Sequence, residues 1–255
     1  MPMSMPFNRP YVMSIAGFDP TAGAGILADI KTVEANHAYG LGVCTAITIQ
    51  TDSDFKDVKW LSLADICAQA DVLLKRFDIA YVKIGLIESL AVLDQLVQHL
   101  HRVSPGLKII WDPILKASAG YVFHSPTDMD QIKSICSKMY LITPNIPEAL
   151  AMGTTESAEL NAKTLSDSCH VFLKGGHNPE RAGDDQLILK GGKTISFKSA
   201  GNKISPKHGS GCILSAALAA KLAKGLELDK ACLLAKEYTL TVLESNDSLL
   251  GFHAN

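Results

Sequence analysis

Only 6% of the 255 residues are aromatic, and the formal charge is −2, so the chain has no surplus of positive charge with which to follow a nucleic-acid backbone. No polybasic tail is available to an anionic membrane surface, and no uncharged apolar run approaches the roughly 18 residues of a membrane span. The six cysteines, at 44, 67, 136, 169, 212 and 232, form no C-x-x-C pair and no zinc-like spacing with histidine. They read as reduced thiols, mostly in the core. The first ten residues carry neither a basic n-region nor an apolar h-region, so no secretory signal is read there. A cytoplasmic protein with a small-molecule partner, and with neither nucleic acid nor membrane, is the expectation.

What is present is apolar sequence in alternating short and long periods. With 47% apolar residues the chain can bury a large core. Residues 12–17 form a short apolar run ended by glycine, as a buried strand requires. Ile26, Ile30 and Val33 then recur at i, i+4 and i+7 on one helix face. Residues 43–50 are a second β-branched run. The alternation continues with helices over 64–76, 90–102 and 127–139, strands over 79–86, 108–115, 141–143 and 171–174, and a helix restarting at Ile146 with Pro147 in its first turn. Residues 185–190 and 194–197 flank Gly191-Gly192 as a hairpin. Two helical segments over 211–245 break near Gly225. This pattern predicts an α/β fold with a mainly parallel sheet covered on both faces by helices, and one domain over 1–255, because no repeat or linker interrupts it.

In such sheets ligands bind beyond the carboxyl ends of the strands. Those ends carry Asp19 with Gly23-Ala24-Gly25, then Gln50, Gly85, Asp112-Pro113, Thr143-Pro144-Asn145 and Lys174-Gly175-Gly176, so polar and glycine residues gather on one rim. Two familiar nucleotide motifs fail. Gly23-Ala24-Gly25-Ile26-Leu27-Ala28 fits the spacing of a dinucleotide turn, but it does not follow its strand directly, and position 45, where an acid would be needed, is Thr. Gly192-Lys193-Thr194 resembles the end of a P-loop, yet Leu187 stands where that loop needs glycine.

Phosphate binding therefore falls to His208-Gly209-Ser210-Gly211-Cys212, a glycine-paired turn opening an Ala-rich helix. Bare backbone there lets successive N–H groups converge on an anion, and the helix adds its positive N-terminal end. Cys212 lies in the first turn, where the same field favours a thiolate. A close helix-sheet contact with a buried cysteine explains the stretch equally well when it is taken alone.

Taken together, Ile15-Ala16-Gly17-Phe18-Asp19-Pro20, Gly23-Ala24-Gly25-Ile26, Ala28-Asp29, Lys83-Ile84-Gly85, Asp112-Pro113, Ile142-Thr143-Pro144-Asn145, Pro147-Glu148-Ala149, Leu173-Lys174-Gly175-Gly176-His177 and Gly209-Ser210-Gly211-Cys212 resemble the hydroxymethylpyrimidine (phosphate) kinases of thiamine biosynthesis. The resemblance implies the three-layer ribokinase-like fold with a β-hairpin in its C-terminal half. It implies transfer of the γ-phosphoryl of ATP, with Mg²⁺, to an aminopyrimidine alcohol and then to its monophosphate. By the same resemblance Gly209, Ser210 and Gly211 hold the moving phosphoryl group, and Cys212 accepts the hydroxyl proton. Gly17, Asp29, Gln50 and Leu86 belong to the substrate side. Lys174, Asn145, Asp112 and His208 belong to the nucleotide side, Glu148 to the metal, and a homodimer is the expected assembly.

Local alternatives exist for several of these: a polar strand end at Gln50, an exposed helix charge at Asp29, a helix cap at Asn145 with a first-turn acid at Glu148, a rim lysine at 174, a turn-starting aspartate at 112 and a packed histidine at 208. The chain also departs from the family's pattern at Lys207, at Thr51-Asp52-Ser53-Asp54, and after Lys116-Ala117-Ser118, where Ala119-Gly120-Tyr121 follows. The rival readings are a pyridoxal kinase and a non-catalytic pyrimidine-binding protein.

Overall fold

Alternation of side chains across a strand buried on both sides sets the architecture. In the computed structural model, which describes residues 9–115, 128–176, 183–199 and 205–253, β1 (Tyr11–Phe18) sends Met13 and Ile15 to one core and Val12 to the other. It is followed by α1 (Gly25–Ala35), β2 (Tyr39–Gln50), β3 (Phe55–Trp60), α2 (Leu63–Arg76), β4 (Ile79–Ile84), α3 (Leu90–Val103) and β5 (Lys108–Trp111). Then come α4 (Met129–Cys136), β6 (Leu141–Ile142), α5 (Ile146–Ala151), α6 (Ala158–Leu165), β7 (His170–Leu173), β8 (Asp185–Ile188), β9 (Thr194–Phe197), α7 (Ser210–Ala223) and α8 (Leu228–Leu243). Thr127, the segment 116–121 and His177 lie outside the described residues.

Among the described residues, nine strands form one sheet in the order β3-β2-β1-β4-β5-β6-β7-β8-β9. Neighbours from β2 through β7 pair in parallel, while β3, β8 and β9 are antiparallel additions at the two ends. The first core packs α2 to α6 against one face, and the second packs α1, α7 and α8 against the other. Three layers result. The hairpin at 191–192 forms as expected, with both glycines at positive φ, and Gly225 at φ +83° separates the last two helices.

Two elements were not legible in the sequence. β3 is a half-exposed, charged edge strand without an apolar period, and α6 is a short helix whose Ser157 cap accepts from Leu160 N–H. β2 also begins four residues before the β-branched run, because pairing with β1 starts at Tyr39.

The chain order turns from β1 outward to β2 on one side and to β4 on the other. That switch point leaves a crevice beyond the ends of β1 and β4, where the residue 19–25 loop and Gly85 lie.

Candidate active site

The glycine-paired turn closes on the first loop of the protein. Gly209 has φ +75°, and a Cβ there would stand 2.1 Å from Gly23 O and 2.7 Å from Ala24 Cα. Only glycine lets the two backbones meet. Gly25, at φ +62°, presses equally against the end of β1, since its Cβ would lie 2.2 Å from Gly17 O. On the other side of the turn, a Cβ at Gly211 would lie 3.2 Å from Lys174 Nζ and 3.8 Å from Asp112 Oδ2. The N-terminus of α7 is thus framed by the β1 loop and by a lysine-carboxylate cluster.

That cluster is built from three strand ends. Lys174 Nζ donates to Asp112 Oδ1 at 2.7 Å and lies 3.7 Å from Glu148 Oε2. Thr143 Oγ1 donates to Asp112 Oδ1 at 3.0 Å, and Ser215 Oγ from α7 reaches Asp112 Oδ2 at 3.1 Å. Burial opposes ionisation of Asp112, but Lys174 and Lys83 outweigh it and hold the carboxyl below its ordinary range. Burial has the upper hand at Glu148, whose pKa is pushed up to about 7 despite Lys174. Asn145 and Glu148 form a reciprocal capping box at the start of α5, with Asn145 N–H donating to Glu148 Oε2 at 2.7 Å and Glu148 N–H to Asn145 Oδ1 at 2.8 Å. The cap and the cluster use the same carboxylate.

Cys212 corrects an expectation. It is 6% exposed, and the Gly25 backbone is close enough to favour its ionised form, so it adjoins the first loop as required. The thiolate expected from the helix field is not the resting form. Burial pushes the pKa up to about 11, more than Lys83 pulls it down. Desolvation outweighs the helix terminus because the terminus acts through partial charges, whereas loss of water penalises the whole charge.

Asp29 is a second correction. The substrate-side role drawn from the resemblance would need an accessible carboxylate, and an exposed helix charge was the alternative. Asp29 is sealed instead: Lys83 Nζ donates to its Oδ1 at 2.9 Å and its Oδ2 at 2.7 Å, and Ser14 Oγ donates to Oδ2 at 2.5 Å. Neither side chain of the ion pair has exposed surface. Burial works against the charge of Lys83, yet Asp29 beside it keeps its pKa above the ordinary lysine value. Lys83 stands in one of the stretches that carry the resemblance but was assigned no role from sequence, and a lysine inside the apolar run Tyr81-Val82-Lys83-Ile84 was the available signal.

The other expected residues sit around the same crevice. Gly17 and Leu86 touch, a Cβ at Gly17 falling 2.8 Å from Leu86 Cδ2. Gln50 ends β2, half-buried, where the segment 51–54 turns the chain into β3. His208 is buried with its Nε2 2.9 Å from Asp19 Oδ2. Asp19 also accepts the backbone N–H of Thr21 and of Ala24, each at 2.9 Å, and so ties the 19–25 loop to the turn. Burial would raise Asp19, but His208 and these N–H groups hold it below its usual value.

Comparison with known proteins agrees with this geometry. The Phosphomethylpyrimidine kinase family profile matches residues 19–254. The hydroxymethylpyrimidine/phosphomethylpyrimidine kinase of Rhizobium meliloti is 32% identical over 246 residues, covering 93% of this chain and 91% of that protein. The protein of the same name from Escherichia coli is 32% identical over 84% of this chain and 83% of its own length. Among solved structures, phosphomethylpyrimidine kinase from Clostridium difficile superposes with a TM-score of 0.75 at 30% identity, covering 91% of this chain and 98% of that one. An ADP complex of Bacillus subtilis pyridoxal kinase gives a TM-score of 0.79 at 25% identity, over 94% and 93% of the two chains.

Proposed function

This chain belongs to the phosphomethylpyrimidine kinase family, and from that premise we propose that it transfers the γ-phosphoryl of ATP to the hydroxymethyl group of 4-amino-5-hydroxymethyl-2-methylpyrimidine, then to the monophosphate so formed, in thiamine diphosphate biosynthesis. The observation that carries the proposal is the position of the turn at 209–211, wedged between the β1 loop and the Lys174-Asp112 pair at the sheet's switch point. Phosphoryl transfer asks for positioning and for stabilisation of charge, and both are present there as fixed backbone N–H groups and a buried ammonium.

The turn amides and Lys174 hold the moving phosphoryl group. Gly17, Leu86 and Gln50 line the side from which the alcohol enters, and the amide of Gln50 offers both donor and acceptor to an aminopyrimidine edge. Cys212 receives the hydroxyl proton. Because its resting form is the thiol, the sulfur must first release its own proton to solvent, and only the thiolate fraction accepts the hydroxyl proton as oxygen bonds to phosphorus. Lys83, by stabilising negative charge on that sulfur, assists the transfer.

The donor set also fits a magnesium ion, which commonly keeps waters and takes one or two carboxylates beside substrate phosphates. Glu148, mostly neutral below about pH 7 in the free protein, is the carboxylate that a divalent cation would ionise, with Asp112 behind it. Such an ion supplies neutralisation of phosphate charge.

Parallel assays with the hydroxymethylpyrimidine, its monophosphate and pyridoxal, each with Mg-ATP, test the reading. ADP release with both pyrimidines, and its loss in Cys212→Ala with the fold intact, is the expected result. Exclusive use of pyridoxal would establish the second reading, which the superposition on a pyridoxal kinase supports. Ligand binding without ADP release would leave a binding protein only.

A further inference from the structure

Lys207 precedes the anion turn and is buried, with 6% of its surface exposed. Its ammonium donates to the backbone oxygen of Asn246, to Ser248 O at 2.6 Å and to Asn246 Oδ1 at 3.4 Å. All three acceptors are uncharged and all lie on the segment that follows α8. The next residue adds a backbone bond, His208 N–H to Leu249 O at 2.8 Å. Beyond it Leu250 reaches the first loop, where its Cδ2 would be 2.6 Å from a Cβ at Gly23. The tail is itself ordered by Asn246 Nδ2 donating to Leu250 O at 3.0 Å and by Phe252 N–H donating to Ser245 Oγ at 2.9 Å.

We propose that Lys207 is a positioning residue for phosphoryl transfer, clasping the segment 245–252 against the turn so that the tail and the residue 19–25 loop grip the turn from two sides. The inference rests on the reading of that turn as the phosphoryl cradle. Its physical basis is rigidity. Amides aimed at a transferring group act only if they are held before the reaction, and the turn's two glycines supply no side chains of their own to hold it. A lysine with several donors can fix three points of a neighbouring strand of chain at once, which a short hydroxyl side chain cannot.

The test uses the full-length chain with Lys207→Met, Lys207→Arg and, separately, Leu250→Ala. Amide hydrogen exchange at residues 209–212 is followed without ligand, and kcat and KM are measured per folded molecule. Lys207→Met should speed exchange at those amides and lower kcat by roughly tenfold to a hundredfold, the usual cost of a small misplacement, with KM for the alcohol nearly unchanged. Lys207→Arg should recover part of both. Should Lys207→Met fail to fold, Leu250→Ala loosens the same tail from the opposite end and should speed the same amides. A lower melting temperature with unchanged kcat, or unaltered exchange in the variant that folds, overturns the clasp. Absence of phosphoryl transfer by the unmodified chain would instead sink the kinase reading, and the exchange measurement would still decide the clasp.

Discussion

Glu148 serves two partners with one carboxylate: the cap of α5 and Lys174. Its folded pKa of about 7 lies above the ordinary 4.5, so the folded protein favours the neutral acid. The resulting contribution to stability is complete below pH 4.5 and is lost as the pH rises through 7. Glu148→Gln keeps the cap acceptor and does not titrate. Between pH 4.5 and 8 its stability without ligand should therefore gain on that of the unmodified chain, by on the order of 2–3 kcal/mol. Urea unfolding at the two pH values measures this, and a difference independent of pH would show that Glu148 is not strained by burial. Cys212 follows the same rule, since both groups give up water to stand at a dry site.

At the scale of elements, α7 is the decisive unit. It is buried along nearly its whole length, with Ala216, Ala217, Ala219 and Ala220 letting it lie close to its neighbours. No side chain caps its start; Gly209 does so in the left-handed conformation, against Gly23 and Ala24. Gly209→Ala meets both a disfavoured φ and a backbone atom at 2.1 Å, so it cannot relax by rotating a side chain. A loss of more than about 1–3 kcal/mol is expected, with activity falling further than stability because the cradle itself is displaced. Thermal unfolding together with calorimetric titration of ADP checks this, and near-normal binding would separate the turn from the nucleotide.

Across the whole molecule, the sheet brings its chemistry from distant parts of the chain. The Asp29-Lys83 pair joins α1 to the central strand β4 with no solvent on either side chain. Breaking it in Lys83→Met leaves Asp29 buried without its counter-ion, so that it must take up a proton or carry an unpaired charge, which should cost about 3–5 kcal/mol. The double variant Asp29→Asn with Lys83→Met removes both charges and should regain most of that stability. Denaturant unfolding of the three variants gives the coupling directly. Additive losses would mean that the two groups do not act as a pair. The exposed edge is protected by simpler means, with Lys56, Asp57 and Lys59 along β3 discouraging further strand addition.

By itself the sequence determined what depends on near neighbours. Buried strands, helix faces, the Gly191-Gly192 hairpin and the glycine-flanked start of α7 follow from local periodicity and backbone freedom, and the ordered series of strand-end residues named the rim. The charged edge strand β3 escaped because its order comes from β2, across the sheet. Tertiary structure alone decided protonation and partnership. Whether Cys212 rests as thiol or thiolate, whether Asp29 meets substrate or Lys83, and whether Lys207 faces the tail depend on how much water is removed and which distant group replaces it. Those two quantities are set by packing between residues far apart in the chain, so a linear pattern does not contain them.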